Sequence, residues 1–220
     1  MAMTGPEKSP APSRLTARGA ATRARIVEAA ADLMRVQGVN GTTLDDVIAS
    51  SGVSKSQLYR HFPDKESLVR AVVALQGHRV LEREQNQLGR LNSFSGLQRW
   101  RTVLVQLNGL HDGAYGCMLG SMANEVADQD EQARAALQEM FAAWKDLIAA
   151  GLRRMQDKGS LKPGADPDLL ATGLMAALQG GYLLAQTAHD TKPMAIALDM
   201  ALDQIKANMA EDSSPIEPVG

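Results

Sequence analysis

Apolar residues recur at three- and four-residue spacing through most of the chain, which predicts amphipathic helices. The first is expected over residues 22–37. Ile26, Ala30 and Leu33 share one face, Val27 and Met34 lie beside it, and Gly38 stops it. Thr43, followed three residues on by Asp46, opens a second, short helix with Leu44, Val47 and Ile48 as its apolar side. It ends at Ser50-Ser51-Gly52. Ser54, with Gln57 three residues later, opens a third helix, which stops at Phe62 because Pro63 disfavours helical geometry in the residue before it. Asp64 caps a fourth, long helix reaching about Leu88.

Further helices are expected over residues 94–112, 131–158, 168–189 and 193–209. Leu97, Trp100, Leu104, Leu107 and Leu110 pattern the first, and Leu137, Phe141, Trp144, Ile148, Leu152 and Met155 form a long stripe on the second. The third mixes Leu with Ala171, Gly173, Ala177, Gly180, Gly181 and Ala185, small residues that let helix backbones approach closely. The last repeats Met194, Leu198, Ala201, Leu202, Ile205 and Met209. Two such closing helices suit a four-helix interface across a twofold axis, with an intramolecular bundle as the alternative. Few aromatics (4 %) among many Ala, Leu and Met agree with an all-α fold.

Composition adds an asymmetry. Residues 1–70 hold 10 basic and 7 acidic residues, whereas residues 71–220 hold 13 and 18, giving the net charge of −2. Arg14, Arg18, Arg23 and Arg25 occur with no acid between residues 11 and 25. A basic start on an acidic body suits presentation of one end to a polyanion. Neither a leader segment nor an apolar run of the ~20 residues that a membrane span needs is visible. The expectation is a soluble, cytoplasmic protein.

The third segment is too polar for a core helix. Val53 and Leu58 can pack inward, leaving Lys55, Ser56, Gln57, Tyr59, Arg60 and His61 outward. Two short capped helices joined by a Gly turn make a helix-turn-helix. The outward set suits nucleic acid: Gln matches adenine edges, Lys guanine or phosphate, and Ser, Tyr and His phosphate oxygens.

The stretch from Gly38 to Leu68, and above all Leu-Tyr-x-His-Phe-x-x-Lys-x-x-Leu over Leu58 to Leu68, resembles the DNA-binding domain of the TetR family of transcriptional regulators. The likeness reaches back through residues 22–37. It implies a homodimer whose three N-terminal helices bind DNA and whose larger C-terminal domain binds a small ligand and dimerises. Carried onto matching positions, Tyr59, His61, Thr43 and Lys65 would contact phosphates, the last two from helix N-termini that also favour an anion. Lys55, Ser56 and Gln57 would face the major groove. The segment Gly116 to Glu125 resembles a motif of the LmrA-like branch of that family. The expected organisation is an arm at 1–18 and a tail at 211–220, both disordered, a DNA-binding domain at 19–66, and a ligand-binding and dimerisation domain at 67–210.

Ligand pockets are mostly apolar with a few polar groups. Candidates are Trp100, Tyr115, Cys117, Met118, Met122, Phe141, Trp144, Met175, Gln179 and Tyr182, with Asn124 and Glu125 as further polar residues. Cys117 is the chain's one cysteine, which excludes an internal disulfide and a cysteine-based zinc site. His78, His111 and His189 have no metal-ligand spacing, and no cofactor is expected. The Gly-rich stretch 113–120 lacks the Lys-Ser/Thr ending of a phosphate loop, and no nucleophile elbow, zinc-protease or dinucleotide fingerprint occurs, so an enzyme is not expected. The combined reading is a ligand-released repressor acting on a palindromic operator in double-stranded DNA. A DNA-binding activator, or a helical small-molecule carrier, are the alternatives.

Overall fold

The computed structural model describes residues 16–210. These form nine α-helices: α1 Ala17–Gly41, α2 Leu44–Ser51, α3 Lys55–His61, α4 Lys65–Leu88, α5 Phe94–Gly109, α6 Met118–Val126, α7 Glu131–Asp157, α8 Pro167–Ala188 and α9 Lys192–Ala207. The one extended pairing among the described residues is a bridge between Leu161 and Met209. The arm expected at the N-terminus lies outside the described residues up to position 15, and the expected tail lies outside them altogether.

Side-chain caps set most helix starts, as the polar spacing predicts. Thr43 and Ser54 each accept the backbone N–H three residues on, and Asp46 and Gln57 return the bond to the cap's own N–H. Asp64, Ser93, Asp130 and Asp166 cap α4, α5, α7 and α8.

Three boundaries differ from the expectation. Helix α1 starts five residues early because Thr16 caps it, its hydroxyl oxygen accepting from Gly19 N–H. Its axis breaks at Gly38 (φ 76°), where the stop was expected, and one further turn follows. Helix α5 ends at Gly109, since Asp112, Gly113, Tyr115 and Gly116 all have positive φ and cannot continue it. Helix α6 was not anticipated: it starts at Met118, and its N-cap residue, Cys117, makes no side-chain cap.

One core runs through the molecule. Ile26, Ala30 and Met34 of α1 pack with Val47, Leu58, Phe62 and Leu68. Helix α4 continues inward from this group to meet α6 and α7. Asp130 at the start of α7 accepts from Arg70 of α4 at 2.7 Å, and Arg154 closes the far end of α4 by donating to the carbonyls of Leu88 and Leu91. Helix α8 packs between α7 and α9, and α9 rests on α5. By length and composition α8 is long and apolar enough to cross a membrane. In this fold Leu170, Leu174, Leu178 and Tyr182 face the interior instead.

Candidate nucleic-acid interface and adjoining cavity

Helix α3 is held by its inner side. Leu58 is fully buried, Val53 and Phe62 nearly so, and Gly52 (φ 65°) makes the sharp turn from α2. That leaves Lys55, Ser56, Tyr59 and Arg60 exposed on a rigid two-turn rod. Tyr59 is 43 % exposed, and the Lys55 ammonium lies 6.0 Å from its ring centroid. Lys55 also sits 4.0 Å from Asp45, a contact between two exposed groups in water and hence weak.

Four sequence candidates are not simply free. The Gln57 carbonyl oxygen accepts the Ser54 N–H at 2.8 Å and its hydroxyl at 3.2 Å, so the cap already uses half of an amide that bidentate adenine recognition would need. The Thr43 hydroxyl donates to Asp46 at 2.6 Å, which holds that carboxyl below its ordinary range. Lys65 opens α4 beside the end of α1, its ammonium 3.4 Å from the Asn40 carbonyl. His61 is half-buried, and its Nε2 is enclosed without a partner. Burial, then the charges of Arg60 and Arg23, lower its pKa and keep the ring neutral.

Behind this unit, α6, α7 and α8 line a cavity of about 320 Å3 that opens to solvent beside Leu183. Cys117, Phe141, Gln179 and Tyr182 line it, as does Asn124. Burial raises the pKa of the Cys117 thiol and that of the Tyr182 phenol, so both stay uncharged. Gln179 Nε2 is buried without a partner. A second cleft of about 440 Å3 lies beside it and holds Tyr115 and Met118 against the end of α1. The two share Ser121 and Gln186 as walls.

The other candidates lie elsewhere. Trp100 is 2 % exposed, and its indole N–H donates to the buried Glu84 carboxylate at 2.7 Å. It packs between α4 and α5, away from both cavities. Met122, Trp144 and Met175 are core. Sequence reasoning passed over Ser121, Gly180, Leu183 and Gln186. Gln186, a polar side chain near the end of an apolar helix, was the signal available. Among the described residues no group of three or more potential metal ligands exists.

Glu125 joins the two regions. Its carboxylate accepts the N–H groups of Val39 at 3.0 Å and Asn40 at 2.8 Å, just past the break in α1. A Cβ at Gly38 would lie 2.9 Å from its Oε1.

Residues 26–72 match the family described as "Bacterial regulatory proteins, tetR family". Residues 96–201 match "Tetracyclin repressor-like, C-terminal domain". The chain is similar to the HTH-type transcriptional repressor DhaR of Mycobacterium sp. (strain GP1), 25 % identical over 78 % of this chain and 86 % of the relative. It is also similar to the HTH-type transcriptional regulator LmrA of Bacillus subtilis, 28 % identical over 79 % and 90 %. A TetR transcriptional regulator from Chloroflexus aurantiacus shares its fold with a TM-score of 0.77, 26 % identity, and coverage of 88 % of this chain and 98 % of that one.

Proposed function

Since the chain belongs to the TetR family of DNA-binding transcriptional regulators, we propose that it acts as a homodimeric repressor, released from a palindromic operator by a small, mostly apolar or aromatic effector. The observation that carries the DNA reading is α3, buried through Leu58 and exposed through Lys55, Ser56, Tyr59 and Arg60. A face so polar, on a helix so firmly anchored, suits phosphates and base edges in a major groove. In this reading Lys55 and Ser56 address the groove, Gln57 contributes the amide donors left over from its cap, and Tyr59, Thr43 and Lys65 address phosphates. His61 positions rather than contacts, because its Nε2 is enclosed.

Two copies are favoured by an apolar face with nothing against it. Leu169 and Leu184 of α8 and Ile196 and Met200 of α9 are 50–69 % exposed. Large apolar side chains left exposed on two packed helices are a feature of association sites, and a twofold interface uses the same patch from each copy. Two α3 helices would then enter successive grooves, roughly 34–36 Å apart.

The effector reading rests on the cavity of α6–α8, whose apolar wall and few polar groups are the common make-up of ligand pockets. Helix α6 both lines that cavity and grips α1 through Glu125. A ligand preferring a displaced α6 thus lowers DNA affinity by its preference between the two states. The repressor reading also agrees with the printed name of the DhaR relative. The test is a mobility-shift titration on the intergenic DNA flanking the gene, followed by a screen of compounds for release. Binding to none of the fragments refutes the operator reading.

A further inference from the structure

The cavity of α6–α8 and the cleft beside α1 meet at Ser121 and Gln186 and differ in chemistry. The first is walled by Cys117, Phe141, Tyr182 and Leu183. The second carries charge: Arg35, Glu125 and His189, with Tyr115.

The charges in the cleft are unequally satisfied. Glu125 already accepts two backbone N–H groups. The exposed Arg35 side chain carries its guanidinium 5.1 Å from the Tyr115 ring centroid, with no carboxylate or hydrogen-bond acceptor bound to it among the described residues. Tyr115 itself is in a left-handed conformation (φ 66°), a local strain of the kind that collects at ligand sites. The ring thus stations a cation at the mouth of the cleft, with its N–H groups open to solvent and to an incoming acceptor.

We propose that the two spaces form one site for an elongated amphiphile bearing a carboxylate. Its apolar body lies in the cavity against Phe141 and Leu183, and its carboxylate is taken by Arg35. Gln186, a flexible side chain on the shared wall, moves to let the chain through. The carboxylate end then lies on the Arg35 side of the cleft whose other wall carries Glu125, the residue by which α6 holds α1. This rests on the effector reading above and adds the ligand's chemical class and the residue that selects it.

The test uses three ten-carbon probes of equal length: decanoate, decan-1-ol and decylamine. The full chain is titrated with each by calorimetry. In parallel, the rate at which N-ethylmaleimide modifies Cys117, the single thiol, reports occupation of the cavity. Decanoate is expected to bind up to about fivefold more tightly than the other two, the worth of an ion pair on an exposed arginine, and to slow modification. Arg35→Gln is expected to abolish the carboxylate preference, bringing decanoate to the level of decanol, with both probes still slowing modification of Cys117. Equal affinities, or a carboxylate preference that survives Arg35→Gln, overturns the assignment but keeps the cavity. If no probe protects Cys117, the cavity itself is not the ligand site, and the effector reading goes with it.

Discussion

Gln57 Oε1 lies 2.8 Å from the backbone nitrogen of Ser54, so the residue best suited by type to read adenine also closes the cap of its own helix. The two roles separate by substitution. Gln57→Glu keeps an N3 acceptor and so keeps the capping box, whereas Gln57→Ala removes the return bond to the Ser54 N–H at a cost of about 0.5–1.5 kcal/mol. Gln57→Glu is therefore expected to unfold in urea within about 0.5 kcal/mol of the parent, the range of a neutral surface change. It should still bind operator at least tenfold more weakly, because it sets a carboxylate toward a polyanion. Parental operator affinity in Gln57→Glu would remove this residue from the interface.

Trp100 belongs to the core. Its indole N–H and the Arg83 guanidinium together satisfy Glu84, whose side chain is fully buried. Trp100→Phe leaves that carboxylate one donor short, and a loss of about 1.5–3 kcal/mol is expected in chemical denaturation. Ligand affinity of the folded protein should not change. Unaltered stability would show that Glu84 is satisfied in some other way.

His61 links stability to pH. Its folded pKa lies below the ordinary 6.5, so between the two values the unfolded chain binds more protons than the folded one. Stability from this group is therefore full above about pH 6.5 and falls as the solution is acidified toward the lowered value. Urea midpoints measured from pH 8 to pH 5 should fall less steeply in His61→Gln than in the parent. Parallel curves would mean that the ring is not kept neutral by burial.

Much of this was readable in the sequence because it is local. Thr43 with Asp46, and Ser54 with Gln57, mark their helix starts within four residues, and Gly52 and Pro63 mark the stops; the structure agrees at each. Helix α6 was missed because Cys117 offers no cap and glycines surround it. The placement of Trp100 was missed for a different reason. An apolar stripe shows which face is buried but not that Glu84, sixteen residues earlier, waits there for an indole. The cavity walls come from α6, α7 and α8, up to about seventy residues apart, so Gly180 carried no local mark and Gln186 only that of a polar residue in an apolar helix. The hold of Glu125 on Val39 spans 86 positions and has no sequence signature at all.

Met200 is 69 % exposed on α9, in the face assigned to the second copy. Met200→Glu is expected to shift sedimentation from dimer toward monomer and to weaken operator binding at least tenfold, since a desolvated unpaired charge costs several kcal/mol. The secondary structure by circular dichroism should be unchanged. An intact dimer would place the interface elsewhere.

The most direct measurement is DNase footprinting on the gene's flanking intergenic DNA, with the parent protein and with Lys55→Gln/Tyr59→Phe. The account predicts two protected half-sites related by a twofold axis, centred roughly 34–36 Å apart, with protection lost in the double variant and weakened steeply by salt. A footprint unchanged by those two substitutions, or no protection on any flanking fragment, would contradict the assignment of α3 as the surface that meets DNA.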